Sequence, residues 1–192
     1  MFMHGSFGHI LFNMYGLWAF GSPLEKMWGK NKFIFFYFSA GIGAGLVYTL
    51  VNYYQFNEIY NLFINAGLQQ SEIITILESA KTNDLRVIEY ITQEQFNRII
   101  GLYNAKAVGA SGAVYGVLVA FGMYFKDAKL ALIFLPIPIA AKYFIPILIA
   151  FDVFFGMTDY SIGNIAHFAH IGGAIIGFII AWYWKKNQFI IN

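Results

Sequence analysis

One serine of the sequence has only small neighbours, and a serine in such a stretch is a candidate nucleophile. Gly109-Ala110-Ser111-Gly112 gives Ser111 a setting like the sharp turn that presents the nucleophile of soluble hydrolases. The fifth position of that turn is usually glycine and is Ala113 here, so the pattern is incomplete. Small residues also let membrane helices pack closely, and for this stretch alone packing is the simpler interpretation.

Two histidines that share a helical face are candidate general bases. His167 and His170 are three residues apart at the start of the last apolar run. Imidazole exchanges protons near neutral pH, and ionisable side chains within a membrane span are functional candidates. The alternative is a metal pair, but a zinc protease places His-Glu-x-x-His on a helix and adds a third ligand. No glutamate accompanies these histidines, and the one carboxylate within a span is Asp152, so we predict no metal site.

A third polar group lies near the N-terminus. His9 and Asn13 are four residues apart and are therefore neighbours on one helical face. Their side chains would supply hydrogen-bond donors to a developing oxyanion, where the loss of one donor typically costs roughly 10²–10³ in rate. Hydrogen bonding between membrane helices is the alternative interpretation and fits this pair equally well.

Ser111 and His170 are each followed by two glycines four residues apart. These glycines are Gly112 and Gly116 after the serine, and Gly173 and Gly177 after the histidine. Such stripes let two helices approach closely, and their packing would bring Ser111 within reach of His170. No aspartate or glutamate is obviously placed to orient His170, so we predict a dyad and not a triad. Tyr115 lies one turn after Ser111, and we expect its ring to stack on His170.

The composition indicates a membrane protein, since 59% of the residues are apolar, 11% are charged and the mean hydropathy is +0.59. Soluble domains usually carry about 25% charged residues. A helix needs about 20 apolar residues to cross a bilayer, and long runs without charged residues supply such stretches. A further apolar stretch is interrupted by Asp152. We therefore predict an all-α polytopic membrane bundle with five spans, near residues 7–24, 33–53, 107–125, 143–157 and 164–184.

The charges divide unequally between the two sides that these spans define. The connections 25–32 and 126–142, with the tail from residue 185, hold eight lysines and two acidic residues, against four basic and eight acidic residues elsewhere. The positive-inside rule makes the lysine-rich side cytoplasmic. We therefore expect a cytoplasmic C-terminus and, from this pattern, a bacterial inner membrane. No basic stripe suggests a nucleic-acid partner.

Segment 54–106 is polar, with apolar residues at helical spacing such as Ile73, Ile76 and Leu77. Thr92 to Gln95 resembles a capping box, which marks a helix start. We predict three or four short amphipathic helices in an extracytoplasmic insertion. Its simpler interpretation is a folded insertion without chemistry of its own, and the alternative is a flap over the active site that contacts substrate or membrane.

Together, the motifs resemble those of the rhomboid family of intramembrane serine proteases. The matching residues are His4-x4-His9-x3-Asn13, Gly109-x-Ser111-Gly112 with Tyr115, and Ala169-His170-x-Gly172-Gly173 with Gly177, and Glu25-Lys26, Gly29 and Leu135-Pro136-Ile137-Pro138-Ile139 also fit. Outside the insertion, the likeness covers nearly all of residues 4–184. Residues 1–192 are therefore interpreted as one rhomboid-like core that contains the insertion 54–106.

The resemblance implies that Ser111 attacks the scissile carbonyl and that His170 accepts its proton. The oxyanion hole would consist of the backbone N–H groups of Ser111 and Ala110 and the side chains of His9 and Asn13. The supporting residues would be Tyr115, His4, His167, Gly109 and Gly112. Substrates would be transmembrane proteins in the lipid bilayer, cut near the outer end of the span at a small residue, and no cofactor is implied.

The sequence departs from the family pattern at its start, because the usual first of six spans and the loop that follows it are missing before His4. The insertion 54–106 is also longer than expected. One alternative function is an inactive rhomboid-like protein that binds transmembrane clients, but that class loses the nucleophile or the base, and Ser111 and His170 are both present. Another is a channel or transporter, which would show mid-membrane polar residues or inverted repeats in the sequence.

Overall fold

The computed structural model describes residues 6–105, 110–132, 135–157 and 164–187. The described chain is mostly helical, and in chain order its elements are α1 (Phe7–Gly16), a π-helical turn (Leu17–Gly21), α2 (Ser22–Trp28), α3 (Lys30–Asn65), α4 (Gln70–Ser79), α5 (Leu85–Tyr90), α6 (Gln93–Tyr103), α7 (Ser111–Tyr124), β1 (Lys129–Leu132), β2 (Leu135–Ala140), α8 (Ala141–Met157) and α9 (Asn164–Asn187). The chain forms two compact units. The first unit comprises Met1–Tyr48 and Ala107–Asn192, and the second comprises Thr49–Lys106. His4 and Gly109 lie outside the described residues.

The helix lengths differ from the five predicted spans. Among the described residues, Lys30–Asn65 and His167–Asn187 are long and apolar enough to cross a bilayer, and Ser111–Tyr124 is a shorter apolar helix. The first predicted span divides into α1, the π-helical turn and α2, because a π turn changes the backbone pairing within the helix. The helix α8 has 17 residues and contains Pro146, which removes one backbone hydrogen bond. A count of five spans therefore stays a prediction.

Large apolar side chains of the first unit point away from its interior. Exposed examples from α3, α8, α9 and the π-helical turn are Trp18, Phe35, Leu46, Phe154 and Phe178. A soluble monomer rarely leaves so much large apolar surface in contact with water. Lipid chains interact favourably with the same side chains, so this surface fits the membrane environment indicated by the composition.

A β-hairpin joins α7 to α8, so the prediction of an all-α fold is wrong in this segment. The strands β1 and β2 pair antiparallel, with Lys129 opposite Ala140 and Leu130 opposite Ile139. Pro136 and Pro138 alternate in β2, and proline has no N–H to donate to a helix or to a central strand. A two-stranded ribbon tolerates them because one edge of each strand has no neighbour within the sheet.

The helices α7 and α9 approach closely through the glycines predicted from the sequence. A Cβ added to Gly173 would overlap the backbone carbonyl of Gly112, and one added to Gly177 would overlap the backbone of Gly116. A Cβ on Gly112 would also meet the carbonyl oxygen of Ala169. No side chain fits between the two backbones there, so the glycine stripes on both helices are confirmed as the contact surface.

The second unit, Thr49–Lys106, contains the short helices predicted in the insertion. The Thr92 side chain accepts from the Gln95 backbone N–H, and the Gln95 side chain accepts from the Thr92 N–H, which confirms the capping box. The apolar face of α4 is buried at Ile73, Ile76 and Leu77. The unit thus has its own small core.

Candidate active site

Ser111 is the first residue of α7, where a helix offers unpaired backbone donors. Ala110 is the N-cap residue, and its carbonyl accepts from the Val114 N–H at 3.0 Å. The first N–H groups of a helix have no partner within it, and they carry the positive end of the helix dipole. The Ser111 side chain is half-buried. A serine oxygen beside such N–H groups combines a nucleophile with donors for an oxyanion.

The ring of His170 stacks on the ring of Tyr115, as predicted from the sequence. The ring centroids are 4.1 Å apart and the planes differ by 6°. Ser111 lies one turn before Tyr115 on the same face of α7, and Gly112 contacts the carbonyl of Ala169, the neighbour of His170. The serine and the histidine therefore lie at adjoining positions on two helices in backbone contact.

A carboxylate pairs with His170, and this contradicts the prediction that no acidic residue orients it. Asp152 on α8 has 6% of its surface exposed. Its Oδ1 lies 3.1 Å from Nδ1 of His170 and 2.5 Å from Nδ1 of His167. The sequence prediction missed this pairing because Asp152 precedes His170 by 18 residues on another helix. The one available signal was its position as a lone carboxylate within an apolar run.

Hydrogen bonding assigns the protons of the two imidazoles. An ionised carboxylate only accepts, so His167 and His170 each donate Nδ1–H to the same oxygen of Asp152. In a neutral imidazole with this tautomer, Nε2 of His170 carries no proton, which is the form that accepts a proton from a serine hydroxyl. The ring of His167 lies nearly perpendicular to that of His170, with 6.4 Å between centroids.

Among the described residues, Asp152, His167 and His170 are also the side chains that lie close enough together to hold a metal ion. One ligand atom each from Asp152, His167 and His170 lies within 4.8 Å of the others. Two ligands of tetrahedral zinc, each bound at about 2.0–2.1 Å, lie roughly 3.3 Å apart. The shorter nitrogen–oxygen separations, 2.5 Å and 3.1 Å, are those of hydrogen bonds. The geometry thus fits shared protons better than a bound cation.

The other predicted oxyanion donors lie on α1. Asn13 is buried, and its side-chain amide donates to the carbonyl of His9 at 2.7 Å. An amide group has two N–H bonds, and this contact uses one of them. The helix α1 also approaches α7, because a Cβ added to Gly16 would press on the Val114 side chain. The structure thus brings the helix of His9 and Asn13 beside the helix of Ser111.

Known proteins are similar to the chain along nearly its whole length. The Rhomboid domain family model matches residues 1–187. The chain is 26% identical to "Rhomboid protein 1, mitochondrial" of Saccharomyces cerevisiae, over 96% of the chain and 40% of the yeast protein. It is 26% identical to "Presenilin-associated rhomboid-like protein, mitochondrial" of Mus musculus, over 100% of the chain and 40% of the mouse protein.

A bacterial relative is also similar. The chain is 32% identical to "Rhomboid protease AarA" of Providencia stuartii, over 94% of the chain and 52% of that protein. It therefore spans about two fifths of the length of the mitochondrial relatives and about half of the bacterial one. No solved structure matches the chain.

Proposed function

The chain belongs to the rhomboid family of integral membrane proteins, and on that premise we propose that it is an intramembrane serine endopeptidase. The observation that carries the proposal is the Tyr115–His170 stack one turn from Ser111. A base held beside a serine at a helix N-terminus is the arrangement that nucleophilic acyl transfer requires. A relative that is named a protease supports the same reaction class.

The proposed reaction has two stages. In the first, Ser111 Oγ attacks the scissile carbonyl carbon while Nε2 of His170 takes the hydroxyl proton. The oxyanion accepts hydrogen bonds from the N–H groups at the start of α7 and from the side chains of His9 and Asn13. The carbon–nitrogen bond then breaks, and His170 returns the proton to the leaving amine. In the second stage, His170 activates a water that releases the acyl group from Ser111.

The proposed substrates are transmembrane proteins within the bilayer. We infer cleavage near the outer end of a span, because Ser111 and His170 lie on the side opposite the lysine-rich connections. Residues that weaken the substrate helix would favour cleavage, since a helical peptide bond is shielded by its neighbours. The expected bacterial inner membrane is not supported, since relatives that are named mitochondrial are among the matches. We therefore propose an integral membrane location without assigning a compartment.

A fluorophosphonate probe tests this proposal, because it reacts with activated serines. The purified chain in detergent should be labelled, and Ser111→Ala should abolish labelling. Ser71→Ala, in the second unit, is the matched control and should be labelled like the parent chain. Absence of labelling in the parent, or labelling that persists in Ser111→Ala, would instead favour an inactive rhomboid-like protein that binds transmembrane clients.

A further inference from the structure

Among the described residues, Asp152 is the one acidic side chain that is buried. A carboxylate in an apolar helix is costly unless hydrogen bonds or opposite charges compensate it. Two of its partners are histidines of α9, which both contact Oδ1, and the third is the hydroxyl of Tyr115. These partners include the proposed base, so the carboxylate lies where it can act on the reaction and not only on folding.

The stack on Tyr115 leaves two properties of His170 undetermined, the orientation of its ring and the nitrogen that carries the proton. Stacking fixes the plane of the ring, with 6° between the two planes. A ring turned by a half rotation about its Cβ–Cγ bond remains stacked, but its nitrogens then point to different neighbours. The stack also does not decide which nitrogen carries the proton. A second contact is therefore needed to select the orientation and the tautomer.

We propose that Asp152 is the positioning residue of a Ser111–His170–Asp152 triad, an inference that rests on the proposed protease function. Its carboxylate accepts from Nδ1–H of His170 at 3.1 Å. Only one ring orientation and one tautomer satisfy this bond, and in that form Nε2 is free to accept the serine proton. Asp152 does not touch the substrate, so its contribution passes through His170.

The carboxylate also interacts more strongly with the transition state than with the resting enzyme. His170 becomes an imidazolium when it takes the Ser111 proton, and the charge of Asp152 is then close to a full positive charge. Attraction between opposite charges is strong in surroundings of low polarity. This interaction forms during the reaction, so it raises the rate of the chemical step more than the affinity for substrate.

His167 keeps the carboxylate in place. It donates to the same Oδ1, and its ring faces Phe155 with 6.1 Å between centroids. Its β-carbon lies against Gly156, where an added Cβ would press on it. His167 is thereby fixed between two residues of α8, the helix that carries Asp152. We infer that the supporting role expected for His167 is to hold Oδ1 of Asp152 in position.

The test compares reaction rates with the fluorophosphonate probe in purified Asp152→Asn and Asp127→Asn. Asparagine keeps the size of the side chain and removes its charge. The maximal rate for Asp152→Asn should fall by about 10²–10⁴-fold, while the affinity for the probe stays nearly unchanged. The same substitution in a soluble triad lowers the rate by roughly 10⁴-fold. Asp127 forms an ion pair with Lys142, with 2.7 Å between Oδ1 and Nζ, and this pair is not part of the site. Asp127→Asn should therefore react like the parent. An Asp152→Asn rate equal to the parent rate would overturn the triad while leaving the protease proposal intact.

Nitrogen NMR of isotope-labelled histidines provides a measurement that does not depend on activity. In the parent protein, the His170 signals, identified by their loss in His170→Gln, should show a proton on Nδ1 and none on Nε2. A proton on Nε2 with a bare Nδ1 would overturn the triad. This result is distinct from failure of the protease proposal. That proposal fails if the probe does not label Ser111 in the parent chain.

Discussion

At the scale of residues, three helices hold the imidazole of His170. Tyr115 of α7 stacks on it, Asp152 of α8 accepts from its Nδ1, and His167 of α9 shares that carboxylate. Each contact restricts a different motion: tilt of the ring, rotation within its plane, and displacement of the carboxylate. A base oriented before the reaction begins does not incur the entropic cost of orientation in the transition state.

The stack on Tyr115 leads to a prediction for substitutions of that residue. Aromatic pairs contribute about 0.5–1.5 kcal/mol beyond burial of their area. Tyr115→Leu should therefore lower the rate of probe labelling by roughly threefold to tenfold. Tyr115→Phe keeps the ring and loses only the hydroxyl that interacts with Asp152, so it should react faster than Tyr115→Leu. Equal rates for the leucine and phenylalanine variants would show that the stack does not orient His170.

At the scale of elements, the contact between α7 and α9 determines whether the site forms. The serine begins one helix and the histidine lies in the first half of the other, so their separation depends on how closely the helices approach. Gly112 and Gly173 meet backbone to backbone. Interiors of proteins are close-packed, so even one added methyl group at this contact forces the helices apart.

Substitution of these glycines tests that dependence. Gly173→Ala should lower the thermal unfolding temperature in detergent, because overpacking typically costs about 1–3 kcal/mol, and it should also reduce labelling of Ser111. Gly101→Ala in α6 is the control, since an added Cβ there meets nothing within 4 Å. That helical exchange should be neutral or stabilising by up to about 1 kcal/mol. Unchanged stability and labelling in Gly173→Ala would contradict the close contact.

The second unit has an ion cluster that predicts a dependence on pH. Arg86 pairs with Glu72 at 2.8 Å and with Asp84 at 2.7 Å. The Gln69 backbone N–H and the Arg86 guanidinium hold the pKa of Glu72 below its usual range. The side chain and backbone N–H of Arg86 do the same for the pKa of Asp84. Since folding lowers both pKa values, the cluster stabilises the unit fully above the unfolded-state values of about 4, and this contribution is lost as the pH falls through the lower folded-state values.

Hydrogen exchange of α4 and α5 measures this effect. Arg86→Gln should exchange faster than the parent at pH 7, and the difference should be smaller at a pH of about 3, which lies below the unfolded-state pKa values of about 4. Arg98→Gln, in the same unit, is the control and should exchange like the parent at both values. A difference for Arg86→Gln that grows as the pH falls would show that the sign is wrong.

At the scale of the whole molecule, the first unit has one end rich in lysines and aromatic rings. Trp28 packs against Trp184 and Tyr124 with ring centroids 5.1 and 5.4 Å apart. Lys32 lies over the Trp184 ring, and Lys185 donates to the Met123 carbonyl. Tryptophan, tyrosine and lysine are enriched at membrane–water interfaces, and lysine favours the cytoplasmic one. This end therefore fits the predicted cytoplasmic side.

The orientation can be measured directly, because the chain contains no cysteine. Asn83 lies in the second unit and Asn187 lies at the end of α9, and each can be replaced by a single cysteine. In spheroplasts of a bacterial expression host, a membrane-impermeant maleimide should label Asn83→Cys at once. Asn187→Cys should be labelled only after the membrane is permeabilised. Labelling of both from the same side would contradict the orientation inferred from the charges.

The sequence predicts the local and repeating features of this molecule well. The glycine stripes, the Tyr115–His170 stack and the Thr92–Gln95 capping box follow from helical spacing, and each is found in the structure. Asp152 does not follow from spacing, because its partners are on another helix. The β-hairpin is missed because apolar residues with alternating prolines suit a loop or an edge strand equally. Helix lengths differ because the π-helical turn and Pro146 have no strong effect on the hydropathy pattern.

The most direct measurement of the central claim locates the fluorophosphonate adduct by peptide mass spectrometry in the parent chain and in His170→Ala. The account predicts a single modified serine, Ser111, and a rate of modification that falls by about 10²-fold or more without the general base. An adduct on a different serine, or an equal rate in His170→Ala, would contradict the assignment of Ser111 as nucleophile and His170 as its base.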